Sequence, residues 1–111
     1  MTKIYLKKDS VFGYNEISVS GHSGYSDEGS DIVCAYISSA CDLVMRILID
    51  EVRVVAETDI DPEKAFVRLS IPHSEHNITV SSVIRVCLEG FVNQMKDFSK
   101  QFPKFVSIRI A

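Results

Sequence analysis

No two cysteines of this 111-residue chain form a C-x-x-C pair, and their number, three, is odd. Neither a disulfide framework nor a zinc site is expected from such a set, and a reducing cytoplasm is the expected setting. No wholly apolar run reaches the roughly 18–20 residues that cross a bilayer. The N-terminus alternates apolar and polar residues instead of joining a basic patch to an apolar block, so no signal peptide is expected. Repeats, low-complexity tracts and linkers are missing too. Lys and Arg are absent between Asp9 and Met45, a stretch that carries Asp9, Glu16, Asp27, Glu28, Asp31 and Asp42. An acidic face of this kind disfavours nucleic acid and suits a basic partner.

What is present is an ordinary globular composition, 46% hydrophobic and 24% charged. The length fits one domain over residues 1–111, enough for one core but too short for a cofactor domain plus a substrate domain. Ile4 and Leu6 against Lys3, Tyr5 and Lys7 give a period-two strand over Thr2–Lys8. A turn near Asp9–Ser10 leads to a second strand over Val11–Ser20, which Tyr14-Asn15-Glu16 is placed to interrupt. Residues 21–30 hold three of the five glycines and no aliphatic side chain, which reads as a loop. From Asp31 to about Asp50 the stripe Val33, Ile37, Ala40, Val44, Ile47 and Leu48 marks a helix buried on one face, with Asp31 or Ser30 as its N-cap. Val52–Glu57 and Ala65–Ile71 read as strands joined by a Thr58–Pro62 turn. A second long helix from about Ser74 carries Val80, Ile84, Cys87, Phe91, Met95, Phe98 and Phe102. Pro103 stops it, and Phe105–Ile110 alternates as a last strand. The order ββαββαβ predicts an α+β domain, two long helices on a mostly antiparallel five-strand sheet.

The chemistry concentrates around the glycine loop. With Asp31 as cap, Cys34 falls in the first helical turn, where unpaired N–H groups and the macrodipole favour negative charge, though the charge of Asp31 opposes that effect. At about 100° per residue, Cys34 stands on the flank of the buried stripe with Ser38, Cys41 and Met45, beside the loop. His22 ends the preceding strand, and a glycine-rich linker is able to double back and bring it to Cys34. A nucleophilic cysteine needs such a base, adjacent in space and not in sequence. From spacing alone a second reading stays open, in which Cys34 is a small core residue and His22 a solvated loop residue.

Competing readings of the loop fail on the residues. Gly24-x4-Gly29-Ser30-Asp31 has Walker A spacing, but Ser-Asp replaces Lys-Ser/Thr and three nearby carboxylates would repel phosphate. No arginine follows Cys34 or Cys41 at the spacing of a cysteine phosphatase. His22, Cys34 and one acid make a poor metal site, so no metal and no cofactor are expected. His73 and His76, three apart, read as surface residues near a helix start. A redox-sensor role for Cys34 lacks a resolving partner, because Cys41 lies about 10.5 Å along the same helix.

Gly21-His22, the loop, Gly29-Ser30-Asp31-Ile32-Val33-Cys34-Ala35 and then Ser38 resemble the signature of the ribosomal-processing cysteine proteases called Prp, and length and element order suit that family over the whole chain. The resemblance implies a cytoplasmic thiol endopeptidase that removes a short N-terminal extension from a large-subunit ribosomal protein. It also implies a homodimer and a loop that closes over peptide. Carried over by position, Cys34 matches the nucleophile and His22 the general base. Asp31 and Ser38 match supporting positions, and Gly21 and Gly29 the ends of the loop. Two positions depart from the pattern: Ser23 and Tyr36 each stand where a small residue is usual. Backbone N–H groups at the helix start, that of Cys34 included, are the expected oxyanion donors. Neither a membrane nor a nucleic-acid partner is expected. A non-catalytic peptide-binding ribosome-assembly factor is the alternative.

Overall fold

The computed structural model describes residues 1–9, 13–22, 24–26, 31–72 and 76–111. The N-terminal alternation forms β1 (Thr2–Asp9), with Thr2, Ile4 and Leu6 buried and Lys3 and Lys7 outward. β2 (Gly13–Ser20) returns antiparallel, setting Val19 opposite Ile4 and Ile17 opposite Leu6. Lys7 faces Glu16 but Lys8 faces Tyr14, so Asn15 is an extra residue, a bulge at the interruption expected from the sequence. The bulge lets Tyr14 and Ile17, three apart, both turn into the core.

Asp31 caps α1 (Ile32–Met45), which runs on as a π-helical segment, Arg46–Glu51, closed by a bond from Val52 N–H to Ile47 O at 2.9 Å. Val33, Ile37, Cys41, Val44 and Leu48 face the core, and Ala40 and Ile47 pack at its margin. By length and composition the joined helix Ile32–Glu51 is apolar enough to cross a membrane, which a search for unbroken apolar runs misses. Here the helix is part of the core, since five of its side chains meet the sheet and α2.

The next strand departs from expectation. Val52–Ala56 is irregular, and β3 is Glu57–Asp61, where the sequence suggested a turn. Two constraints explain the shift. The end of the π segment claims Val52, and Val54 N–H donates to Leu48 O at 2.8 Å, burying Val54 outside any strand. Arg53 between them adopts a left-handed φ of 63°. β3 itself is a polar edge strand without an apolar face, so it leaves no period-two signal. β4 (Phe66–Ser70) pairs antiparallel with both β3 and β2.

α2 (Ile78–Gln101) begins later than expected, at the N-cap Asn77, whose Oδ1 accepts from Val80 N–H at 2.8 Å; Ser74 lies outside the described residues. Ile84, Leu88, Phe91, Val92 and Met95 form its buried stripe. β5 (Val106–Ile110) pairs parallel with β1. The sheet order is β3-β4-β2-β1-β5, with three antiparallel pairings and one parallel, an α+β domain in the order ββαββαβ. The helices and one sheet face share a single core.

Leu48, fully buried at the start of the π segment, tests how much that segment contributes. Leu48→Ala is expected to cost about 3 kcal/mol and to lower Tm by about 10–15 °C, read by thermal unfolding.

Candidate active site

β2 and β3 both run antiparallel to β4, so their C-terminal ends meet at one end of the sheet. Ser20 and Asp61 are both opposite Phe66. The turn at 62–65 therefore stands beside Gly21. Asp61 Oδ1 accepts from Glu63 N–H at 3.1 Å and Lys64 N–H at 3.3 Å, and Ala65 closes the turn with a left-handed φ of 49°. Ala65 O then accepts from Gly21 N–H at 3.1 Å.

Gly21 is held from the other side as well. Its carbonyl accepts from Thr2 Oγ1 at 3.1 Å, and Thr2 is buried. Its φ is +84°, and a Cβ there would stand 2.9 Å from Met1 O. Glycine is required at this position on both counts. The exposed His22 is thus fixed by a backbone clamped between the start of β1 and the β3–β4 turn.

Cys34 arrives from the helix. Asp31, extended at φ −79°, ψ 101°, turns its side chain to accept from Cys34 N–H at 3.1 Å, and its own carbonyl accepts from Ala35 N–H at 3.1 Å. With Asp31 buried and the helix phase set by Val33 and Ile37, Cys34 is left half-buried on the flank. Ser38 follows one turn on, exposed. The two approaches converge. A cavity of about 410 Å³ is lined by Gly21 and His22 from the strand end, by Asp31, Cys34, Ser38 and Cys41 from the helix, and by Ile60, Asp61, Pro62, Phe66 and Val67 from the β3–β4 hairpin. Thr2 lines it too. Five residues expected at the site, Gly21, His22, Asp31, Cys34 and Ser38, therefore share one cavity. Gly29, Ser23 and His73 lie outside the described residues.

One expectation changes. The Cys34 amide donates to the Asp31 carboxylate, so it is engaged as a helix cap and is not an open oxyanion donor. The expected acidic face falls partly outside the described residues. Asp31 is buried, Asp42 bonds Arg46 at 2.8 Å, Glu16 lies 3.8 Å from Arg68, and Asp27 and Glu28 are outside the described residues. Of the described carboxylates, Asp31 and Asp61 line the cavity; Asp61 ends β3, a segment the chain-wide charge pattern placed in the basic remainder.

The hairpin residues and Thr2 were not legible as site residues, because their place depends on the strand order β3-β4-β2. The three cysteines divide by depth. Burial pushes the Cys41 thiol up to about 12, and the half-buried Cys87 thiol is raised as well, again by desolvation. Tyr36 points away from the cavity. It stacks on Phe98 with centroids 6.0 Å apart and belongs to a larger groove of about 780 Å³ between α1 and α2, with Leu43, Ile47 and Val86. That groove is almost wholly apolar, and the desolvated Cys87 is its one thiol. Tyr25 holds the start of the loop, its ring edge-on to Phe102 at 5.8 Å and Phe105 at 5.4 Å.

Comparison with known proteins places this geometry. A family model described as Cysteine protease Prp matches residues 1–107. No curated protein matches the chain in sequence. Among solved structures, the ribosomal processing protease Prp from S. aureus, covalently linked to a product peptide, is similar with a TM-score of 0.84 at 12% identity, covering 100% of both chains. The same protease with a substrate peptide gives 0.81, also at 12% identity and covering 100% of both chains. SMU.848 from Streptococcus mutans gives 0.79 at 19% identity, covering 99% of this chain and 93% of its own.

Two outcomes are expected from the site geometry. Gly21→Ala should lose about 2 kcal/mol of stability in urea unfolding, from left-handed strain and the contact with Met1 O. Iodoacetamide at pH 8 should modify Cys34 first in the folded protein. At that pH a thiol near 12 is about one part in ten thousand thiolate, so Cys41 should react only in denaturant, as peptide mapping by mass spectrometry would show.

Proposed function

The chain belongs to the cysteine protease Prp family, and on that premise we propose that it is a thiol endopeptidase acting through Cys34 and His22. Its substrate is the short N-terminal extension of a large-subunit ribosomal protein, cut in the cytoplasm. The observation that carries the reading is the shared cavity, with a histidine from a clamped strand end and a cysteine from a helix's first turn on its walls.

His22 takes the proton of Cys34, and the thiolate attacks the scissile carbonyl. The tetrahedral oxyanion needs donors other than the Cys34 amide, which stays with Asp31. The imidazolium then gives its proton to the leaving amine, and the peptide's N-terminal part remains on sulfur as a thioester. Water, deprotonated by His22, releases it as a carboxylate and restores the thiol. Asp31 acts as a positioning residue, since its cap sets where Cys34 stands. Ser38 and Gly21 shape the wall.

We also propose that the protein is a homodimer, joined across the α1–α2 groove. Tyr36 is 51% exposed, Leu43 59% and Val86 72%, which is a large apolar surface for a monomer to leave in water. Either Leu43→Asp or Val86→Asp should then shift the protein from dimer to monomer in light scattering after size exclusion. A monomeric parent would overturn this part.

The decisive experiment gives the parent, Cys34→Ala and His22→Ala a peptide that spans a ribosomal-protein extension and its mature start. The expected result is one cut by the parent, none by Cys34→Ala, and a loss of about 10²–10⁴-fold for His22→Ala. Tight binding by all three without any cut would replace the protease by the peptide-binding assembly factor.

A further inference from the structure

Every strand of the sheet except the outer two is paired on both sides. Of those two, β5 contributes no residue to the cavity, whereas β3 runs directly into it: Ile60 and Asp61, its last residues, and Pro62 after them line it together with Cys34 and Ser38. β3 is paired with β4 on one side only, and among the described residues no strand covers its outer side. Four of its five residues are exposed, including Ile60 at 59%. An open edge of this kind is a template for one more strand.

The charge on the edge selects which strand it takes. Glu57, Asp59 and Asp61 alternate along β3 on one face, with Glu63 just beyond. Arg68 is the one cation set against them on β4: it faces Asp59 in register, lies 3.9 Å from Glu57, and is shared with Glu16 at 3.8 Å. Lys64 in the turn offsets Glu63, and with Arg68 shared among Glu57, Asp59 and Glu16 the edge keeps a surplus of negative charge. Two copies of β3 side by side would repel, and so would an acidic peptide. An extended chain carrying Lys or Arg at alternate positions matches both the pleat and the charge.

We propose that β3 is the substrate-docking edge: a basic, extended segment of the peptide adds to it as a sixth strand and is led at Ile60–Pro62 into the cavity. This rests on the reading of the cavity as a peptidase site and names how that site takes its substrate. Backbone bonds to the edge supply affinity without sequence demands, and the carboxylates supply the preference for a basic segment. Five strand residues span about 17 Å, so the added affinity should saturate at about five residues beyond the bond that is cut.

A scan of single N-methyl groups along a cleavable Lys-containing peptide tests it, away from the residues flanking the cut. Strand addition predicts a period of two: alternate positions raise KM about tenfold, as expected for one lost backbone bond, and those between change it little. Glu57→Lys with Asp59→Lys should raise KM about fivefold or more at low salt, leave kcat unchanged, and lose most of that effect in 0.5 M salt. Replacing the peptide's Lys and Arg by Gln should remove the response to those substitutions. Binding of the same peptides to Cys34→Ala, followed by fluorescence anisotropy, repeats the scan without turnover. Cleavage and binding with no alternation and no response to the double variant would overturn the edge while leaving the peptidase intact. Alternating binding without cleavage by the parent would keep the edge and overturn the peptidase. No binding at all would overturn both.

Discussion

The hydrogen bond from Cys34 N–H to the Asp31 carboxylate, 3.1 Å long and mostly out of water, decides where α1 begins. Everything downstream depends on that start. One residue earlier or later would turn the helix by about 100°, moving Val33, Ile37, Cys41 and Val44 off the core and Cys34 off the cavity. A cap of this kind contributes roughly 1 kcal/mol, a small energy that fixes a large geometry. The same bond settles a chemical question, because an amide committed to a carboxylate does not stabilise an oxyanion while that bond stands. Asp31 thereby ties up one amide and fixes where the Cys34 side chain stands.

The histidine side is fixed by a different device. Gly21 is bonded through its N–H to the β3–β4 turn and through its carbonyl to Thr2, with no room for a side chain against Met1. Three segments distant in sequence, residues 1–2, 21–22 and 61–65, meet at one end of the sheet. Ala65 contributes by accepting a left-handed backbone, a strain of about 1–2 kcal/mol that the turn's hydrogen bonds to Asp61 help offset.

Much of this was legible in the residues, and the rest was hidden for identifiable reasons. Strong period-two alternation gave β1 and β5, helical spacing gave the buried stripes of α1 and α2, and the polar residues before the first apolar position marked Asp31 or Ser30 as the N-cap, of which Asp31 is the one that caps. His22 and Cys34 could be paired because they lie close in sequence on both sides of one loop, whereas Gly21, Asp31 and Ser38 entered as site residues through the resemblance to the Prp signature. β3 could not, since an edge strand of sequence Glu-Thr-Asp-Ile-Asp buries nothing and so carries no hydrophobic period. The start of α2 was misplaced because Asn77, a cap, is followed by the exposed Ile78 and Thr79 before the stripe begins. The hairpin half of the cavity needed the pairing order, which depends on contacts between distant residues and leaves no local mark. The continuous apolarity of Ile32–Glu51 was also easy to miss, since polar residues punctuate a helix whose mean character is that of a span.

One helix also shows how depth assigns roles to identical side chains. Cys34 and Cys41 are seven residues apart, two turns on nearly the same flank, and both touch the one cavity. Cys34 is half-buried on the cavity wall, while Cys41 is 3% exposed. Desolvation penalises the thiolate and not the thiol, and it holds Cys41 in its protonated form up to about 12. No charged partner is needed to silence it; depth is enough. The accessible thiol is therefore set by position along the helix, which returns to the cap: Asp31 fixes the first turn at the cavity, and the residue three places after it is the half-buried thiol on its wall.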